Sequence, residues 1–207
     1  GIAALFIAIP LFVLFGLGSF TWRQTEIWHD SETLWNHALA ASPSSMAHFH
    51  VGRFTAQRGD LAEAEKHLRR AVEINPTNDV IQSNLALVLA RQGNLPEATA
   101  HFYRALEINP ADPATLNNMG ITLAQQGKLD EAIQHFQRSL EIKPNDASGH
   151  TNMANLLLDR GDVDGATKHL RVAIEIDPAD ADNHNSLAII SAKRGNLAEA
   201  TGYLRRV

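Results

Sequence analysis

The sequence contains no cysteine. Disulfide frameworks and thiolate-held metal sites are therefore excluded, while the redox compartment stays open. A surplus of basic charge is also missing. The formal net charge is -5, so no nucleic-acid footprint stands out. No nucleophile elbow, phosphate loop or paired-carboxylate arrangement occurs either. Glu73, Glu107, Glu141 and Glu175 recur at one interval. A catalytic group occurs once per site, so these glutamates read as repeat features. The chain begins at Gly1 rather than Met and stops at Val207 inside a helical pattern, which reads as a segment of a longer protein.

One long apolar run is present. No charged residue lies between Ile2 and Phe20, close to the ~20 residues that cross a hydrocarbon core. Pro10, Gly16 and Gly18 would break a soluble helix but are tolerated in a bilayer. Trp22 and Arg23 follow as an interfacial anchor. A signal peptide needs a basic leader and a small-residue cleavage site, and neither is evident. Residues 1–21 are thus expected to form a transmembrane helix. The next stretch, up to Arg53, has Arg23 as its one basic residue against Glu26, Asp30 and Glu32. That poverty in Lys and Arg leans the following domain towards the non-cytoplasmic side, periplasmic or lumenal.

The remainder keeps a 34-residue beat. Gly93, Gly127, Gly161 and Gly195 mark it, as do Pro76, Pro110, Pro144 and Pro178. Ala64, Ala98, Ala132, Ala166 and Ala200 keep the same interval. A fixed period of this length means stacked supersecondary units, each burying its apolar face against its neighbours. The units run 45–78, 79–112, 113–146, 147–180 and an incomplete 181–207. Each reads helix, glycine turn, helix, proline turn. In 113–146, Asp112 caps the first helix and Leu116, Met119, Gly120 and Leu123 form its apolar stripe. Gly127 ends it, and Ala132, Phe136 and Leu140 supply the stripe of the second helix. Residues 22–44 read as a connector and a degenerate half-repeat, with Trp35, Ala38 and Leu39 in the register of Phe102, Ala105 and Leu106. Trp28 and Trp35 share one side of that helix and are expected to pack on the first repeat rather than hold a ligand.

These residues resemble the tetratricopeptide repeat: Leu116-x-x-Met119-Gly120, then Ala132, Phe136, Ser139 and Pro144. The resemblance covers residues 45–207 and implies an all-α, right-handed superhelix that binds proteins or peptides. It departs from the family at a position usually held by Trp or Tyr, which is His48, Gln82, Leu116, His150 and His184 here. A looser resemblance covers residues 1–80. The apolar helix followed by WRQTEIWHDSETLWNHALAASP is similar to the junction in transmembrane-and-tetratricopeptide O-mannosyltransferases. That likeness implies a substrate-recognition region of a polytopic membrane glycosyltransferase whose sugar-transfer residues lie upstream, so no catalytic residue is assigned.

The candidate site is the concave face lined by the first helices. Asn84, Asn118 and Asn152 recur there, with Ser186 next in line. Similar asparagine columns in O-linked N-acetylglucosamine transferases hold the backbone of an extended peptide. An amide offers donors and an acceptor, so it can pair a peptide unit without reading its sequence. Asn117, Asn155, Asn185, Arg91, Gln125 and Lys193 surround the column, with Leu87, Ile121 and Ile189 making the face mildly apolar. The face lacks the Lys/Arg/Asn cluster that would clamp a terminal carboxylate. No cofactor is expected. His67, His101, His135 and His169 recur with Tyr203 in the fifth place, but equivalent atoms of successive repeats lie about 8–10 Å apart. One ion needs its nitrogens at ~2.1 Å, so the column reads as half-exposed packing aromatics and no metal site. A protonation effect on stacking below pH ~6.5 stays open. The expected role is a membrane-tethered scaffold holding a protein segment. The alternatives are the glycosyltransferase tail and a self-assembly module using the exposed terminal repeat near Tyr203.

Overall fold

The computed structural model describes residues 31–206. Regular structure among them is entirely α-helical. The expected membrane helix, residues 1–21, lies outside the described residues, as do Trp22 and Trp28. Among the described residues no helix is long and apolar enough to cross a membrane.

The described residues divide into two compact units, with the boundary between Pro76 and Thr77. The first contains α1 (Ser31–Ala41), α2 (Ser45–Gln57) and α3 (Leu61–Ile74). The second contains α4 (Asp79–Arg91), α5 (Leu95–Ile108), α6 (Pro113–Gln125) and α7 (Leu129–Ile142). It continues with α8 (Ala147–Asp159), α9 (Val163–Ile176), α10 (Ala181–Lys193) and α11 (Leu197–Leu204).

The punctuation of these helices follows from side-chain chemistry. Four of the five first helices open on a residue whose oxygen accepts an orphan backbone N–H, while Asp146 before α8 makes no such bond. Ser44 accepts from Ala47, Asn78 from Ile81, Asp112 from Thr115 and Asp180 from Asn183. Such a cap is worth about 1 kcal/mol. Each first helix ends at a glycine with positive φ, which only glycine adopts without strain. At Gly127, φ is +76°, and Lys128 N–H donates back to Leu123 C=O at 3.0 Å. Gly59, with φ +90°, belongs to this series. The prolines that follow the second helices then forbid continuation.

Packing within each pair depends on small residues. Ala64, Ala98, Ala132 and Ala166 are all 0 % exposed. At the matching place in the first helix, a Cβ on Gly52 would lie 2.8 Å from Leu68 Cγ, and one on Gly120 2.8 Å from Phe136 Cε1. Both positions therefore admit the partner side chain directly onto the helix backbone. The core then crosses from one pair to the next, as Ala154, Ala166 and Leu170 pack with Leu187 and Ile190.

Two details depart from the sequence reading. Leu140 is only half-buried, and Ser139 takes the closed position at 1 % exposure. Ser139 sits in the register of Ala71, Ala105 and Ala173, where a small side chain is required, and its hydroxyl donates to Pro113 C=O at 2.8 Å. The histidine column is not uniformly half-exposed either: His101 is buried because Gln82 bonds it from the first helix at 2.7 Å.

Candidate functional site

The face in question belongs to the second unit and is formed by α4, α6, α8 and α10. Residues three, four or seven positions apart on a helix share a side, which aligns Asn84 with Leu87 and Arg91, and their 34-residue equivalents with them. The asparagine column is not uniform. Asn84 donates to Val80 C=O of its own helix at 2.8 Å. Asn152 donates to Asn117 Oδ1 at 3.1 Å, linking α6 to α8. The Asn118 side-chain amide has no hydrogen-bond partner among the described residues. Asn118 and Asn152 are half-buried, whereas Asn155, Asn185, Arg91, Gln125 and Lys193 are exposed.

Between α6 and α8 lies a cleft of about 290 Å³, lined by Ile121, Gln125, Asn152, Asn155, Leu156 and Asp159 among others. It brings four expected polar positions together: Gln125, Asn152 and Asn155, with Asn117 bonded to Asn152 at its edge. A second cleft of about 530 Å³ is lined by Leu158, Val163, Ser186, Ile189, Ile190, Lys193 and Arg194. It is the same cleft one repeat later, since Ser186, Ile189, Ile190 and Lys193 stand 34 residues after Asn152, Asn155, Leu156 and Asp159. Its chemistry is different. An asparagine has become Ile189, 49 % exposed, and an aspartate has become Lys193. Lys193 has no ion-pair partner among the described residues, while Arg194 is held by Asp164. Leu158, Val163, Ile190 and Arg194 were not anticipated as lining residues. The 34-residue spacing from Ala124 and Leu156 of the first cleft is the signal that finds Leu158 and Ile190; Val163 and Arg194 have no such counterpart in its lining.

Asn84, Arg91 and Asn185 do not line either cleft. Leu87 adds an apolar step at 39 % exposure on α4.

The polar links between repeats include one that sequence spacing hides. Asn183, 1 % exposed, exchanges hydrogen bonds with Thr151 across 32 residues and also donates to Asp180. Gln126 donates to Thr99 Oγ1 at 2.7 Å and to Leu95 C=O. Asp130–Arg160 and Asp164–Arg194 are exposed ion pairs in matching register and contribute little in water.

The histidines pair across a repeat rather than along the column. His48 Nδ1 meets His67 Nδ1 at 3.1 Å, and His150 Nδ1 meets His169 Nδ1 at 2.9 Å. No cluster of three or more metal-ligating side chains exists among the described residues. Burial, aided by the partner's charge, holds His48 and His169 below their ordinary protonation range. Burial does the same to His50 and His135, with Arg53 and Arg138 adding to it. Trp35 stacks on His50 with ring centroids 3.9 Å apart, so that tryptophan packs on the first repeat as expected.

The model of the cilia and flagella-associated protein 70 C-terminal domain, a tetratricopeptide-type domain, matches residues 3–189. The chain belongs to this family. Solved structures agree on the fold. The chain is similar to PilW, described as a widely conserved type IV pilus biogenesis factor, with TM-score 0.77 and 22 % identity over 91 % of this chain and 87 % of that one. It is similar to pilF of Pseudomonas aeruginosa, with TM-score 0.74 and 21 % identity over 78 % of this chain and 74 % of the other. YrrB, described as a TPR protein with an unusual peptide-binding site, aligns with TM-score 0.65 and 18 % identity over 83 % and 89 %. A comparison with curated proteins finds no match. At these identities the structural likenesses speak for the tetratricopeptide solenoid alone. The O-mannosyltransferase resemblance of residues 1–80 has no counterpart among the matches named here.

Proposed function

We propose that the α4–α6–α8–α10 face binds an extended protein segment without catalysing a reaction on it. The supporting observation is the pair of clefts in equivalent register, one polar at Asn152 and Asn155, the next apolar at Ile189 and Ile190. Asn118 lines neither cleft and stands three residues before Ile121 on α6, with no hydrogen-bond partner for its amide among the described residues. A cleft carrying amides that can bond a peptide backbone, next to a more apolar one that can take a side chain, is the arrangement peptide grooves use. A peptide-binding protein of the same fold, YrrB, is consistent with this reading.

The test is a random peptide library panned on the full chain, followed by affinity measurement on Asn118→Ala/Asn152→Ala. Each lost amide–peptide bond is worth about 0.5–1.5 kcal/mol, so the double variant should bind roughly 5- to 150-fold more weakly. Unchanged affinity with unchanged helicity rejects the asparagine column.

The tether is a further part of the proposal and rests on the uncharged run from Ile2 to Phe20. Its non-cytoplasmic side rests on the Lys- and Arg-poor flank. Deleting residues 1–21 should move the protein from the membrane fraction to the soluble fraction. If the undeleted chain is already soluble, the tether is refuted.

A further inference from the structure

Two of the five repeats carry a histidine on each helix at the same crossing point: His48 with His67, and His150 with His169. In the second pair the ring centroids are 5.2 Å apart and the Nδ1 atoms 2.9 Å. The difference is about two imidazole radii, so the rings meet nitrogen to nitrogen in line. The first pair has the same geometry, 5.3 Å against 3.1 Å. A metal ion would require two lone pairs converging on a third point about 2.1 Å from each. Here they point at each other, with room for one hydrogen.

The remaining contacts fix where that hydrogen belongs. His150 Nε2 lies 3.0 Å from Pro144 C=O and must donate to it. Neutral His150 therefore presents a bare Nδ1, and His169 Nδ1–H donates into it. In the first repeat the direction reverses. His67 Nε2 lies 3.1 Å from Glu63 Oε1 and donates there, so His48 Nδ1–H is the donor to His67 Nδ1.

We propose that these two pairs are acid-operated joints between the helices of their repeats, closed while one hydrogen is shared and opened when both rings are charged. The order of protonation follows from the hydrogen bonds. The first added proton goes to the free Nε2 of His169, and the shared bond becomes charge-assisted. The second can only go to His150 Nδ1. It replaces the accepting lone pair, and two imidazolium N–H groups then face each other at a distance where neither can accept.

The groups around each pair modulate this without removing it. Asp162, at the start of α9, favours charge on His169, and His150 opposes it. The turn before α8 carries the Lys143–Asp146 ion pair, and Asp180 at the start of α10 is occupied by Asn183. Around His48, Arg70 opposes charge and Glu73 favours it. Burial works against charge on both His48 and His169.

The neighbouring repeats act as natural controls. Gln82 replaces the first-helix histidine in the second repeat and still bonds His101 Nδ1 at 2.7 Å. An amide keeps the bond but cannot take the second charge. Leu116 in the third repeat leaves His135 Nδ1 buried without a partner, so that repeat has no such joint.

The experiment follows imidazole ¹⁵N signals of the full chain through an acid titration, with native-state hydrogen exchange on the same samples. His150 and His169 should titrate in two steps separated by about one pH unit or more. Between pH 7 and 5, protection of residues 147–176 should fall roughly tenfold or more relative to 79–108, and His150→Gln should largely remove that difference. Independent single-step titration of the two rings overturns the proposal. So does an equal acid-induced loss of protection in wild type and His150→Gln. If His150→Gln does not fold, the wild-type titration decides alone.

Discussion

Removing the Phe136 ring tests how the helix pairs are held together. Phe136 is 2 % exposed and rests on Gly120, where even a methyl group would lie 2.8 Å from the ring edge. Phe136→Ala deletes the ring from a site with no side chain across from it to move in. The lost transfer energy and the void together cost about 3–5 kcal/mol. Phe102 is the same residue one repeat earlier, with Ala86 in the register of Gly120. Phe102→Ala should therefore leave a void about one methyl smaller and cost less by about 0.8 kcal/mol. Urea unfolding followed by circular dichroism gives the totals. Repeat arrays need not unfold as one unit, so hydrogen exchange supplies the location: protection should fall first in residues 113–142. A Phe136→Ala cost below about 1 kcal/mol, or protection lost evenly over the unit, would refute the direct ring-on-backbone packing.

Further outcomes are expected. Asp112→Ala removes the oxygen that accepts from Thr115 N–H and should cost about 1 kcal/mol in a thermal or urea melt. Gly127→Ala places a side chain at φ +76° and should cost about 1–2 kcal/mol in the same assay, although nothing lies within 4 Å of the new Cβ. Ile189→Asp should weaken any peptide that binds wild type through an apolar anchor, with circular dichroism unchanged, and equal affinity would exclude the second cleft. Stability should fall on acidification. His48, His50, His135 and His169 sit below 6.5 in the folded chain, so the unfolded chain takes up their protons first. Their contribution is complete above about pH 6.5 and is lost as pH falls towards their folded values. Melting temperatures that stay flat from pH 7 to 5 would contradict those burial effects.

The helices were legible because their signals are local. Asp112, Gly127 and Pro144 act within a few residues of themselves, and the structure uses the first two as their chemistry requires. Trp35 on His50 was legible because the half-repeat keeps the register of the full ones. What escaped notice lies at separations other than 34. His150 and His169 belong to different 34-residue columns, though they meet across 19 residues. The Thr151–Asn183 link, at 32 residues, was hidden for the same reason. Leu140 looked like core because its spacing from Phe136 fits a stripe, but the contact between the two helices of the repeat falls on Ser139, whose hydroxyl reaches Pro113 C=O. The asparagine column was visible as a pattern. That Asn84 and Asn152 spend donors on protein acceptors depends on neighbouring helices and rotamers, which spacing does not carry.

The succession of one cleft by an unlike one has a directional consequence. A ladder of identical rungs would offer a bound segment the same chemistry at every register. Here the change from Asn155 and Asp159 to Ile189 and Lys193 gives the ladder a head and a tail. On the proposed function, a segment laid along it would set polar groups at Asn155 and Asp159 and an apolar side chain beside a carboxylate at Ile189 and Lys193, so reversing the order of its residues makes a different ligand.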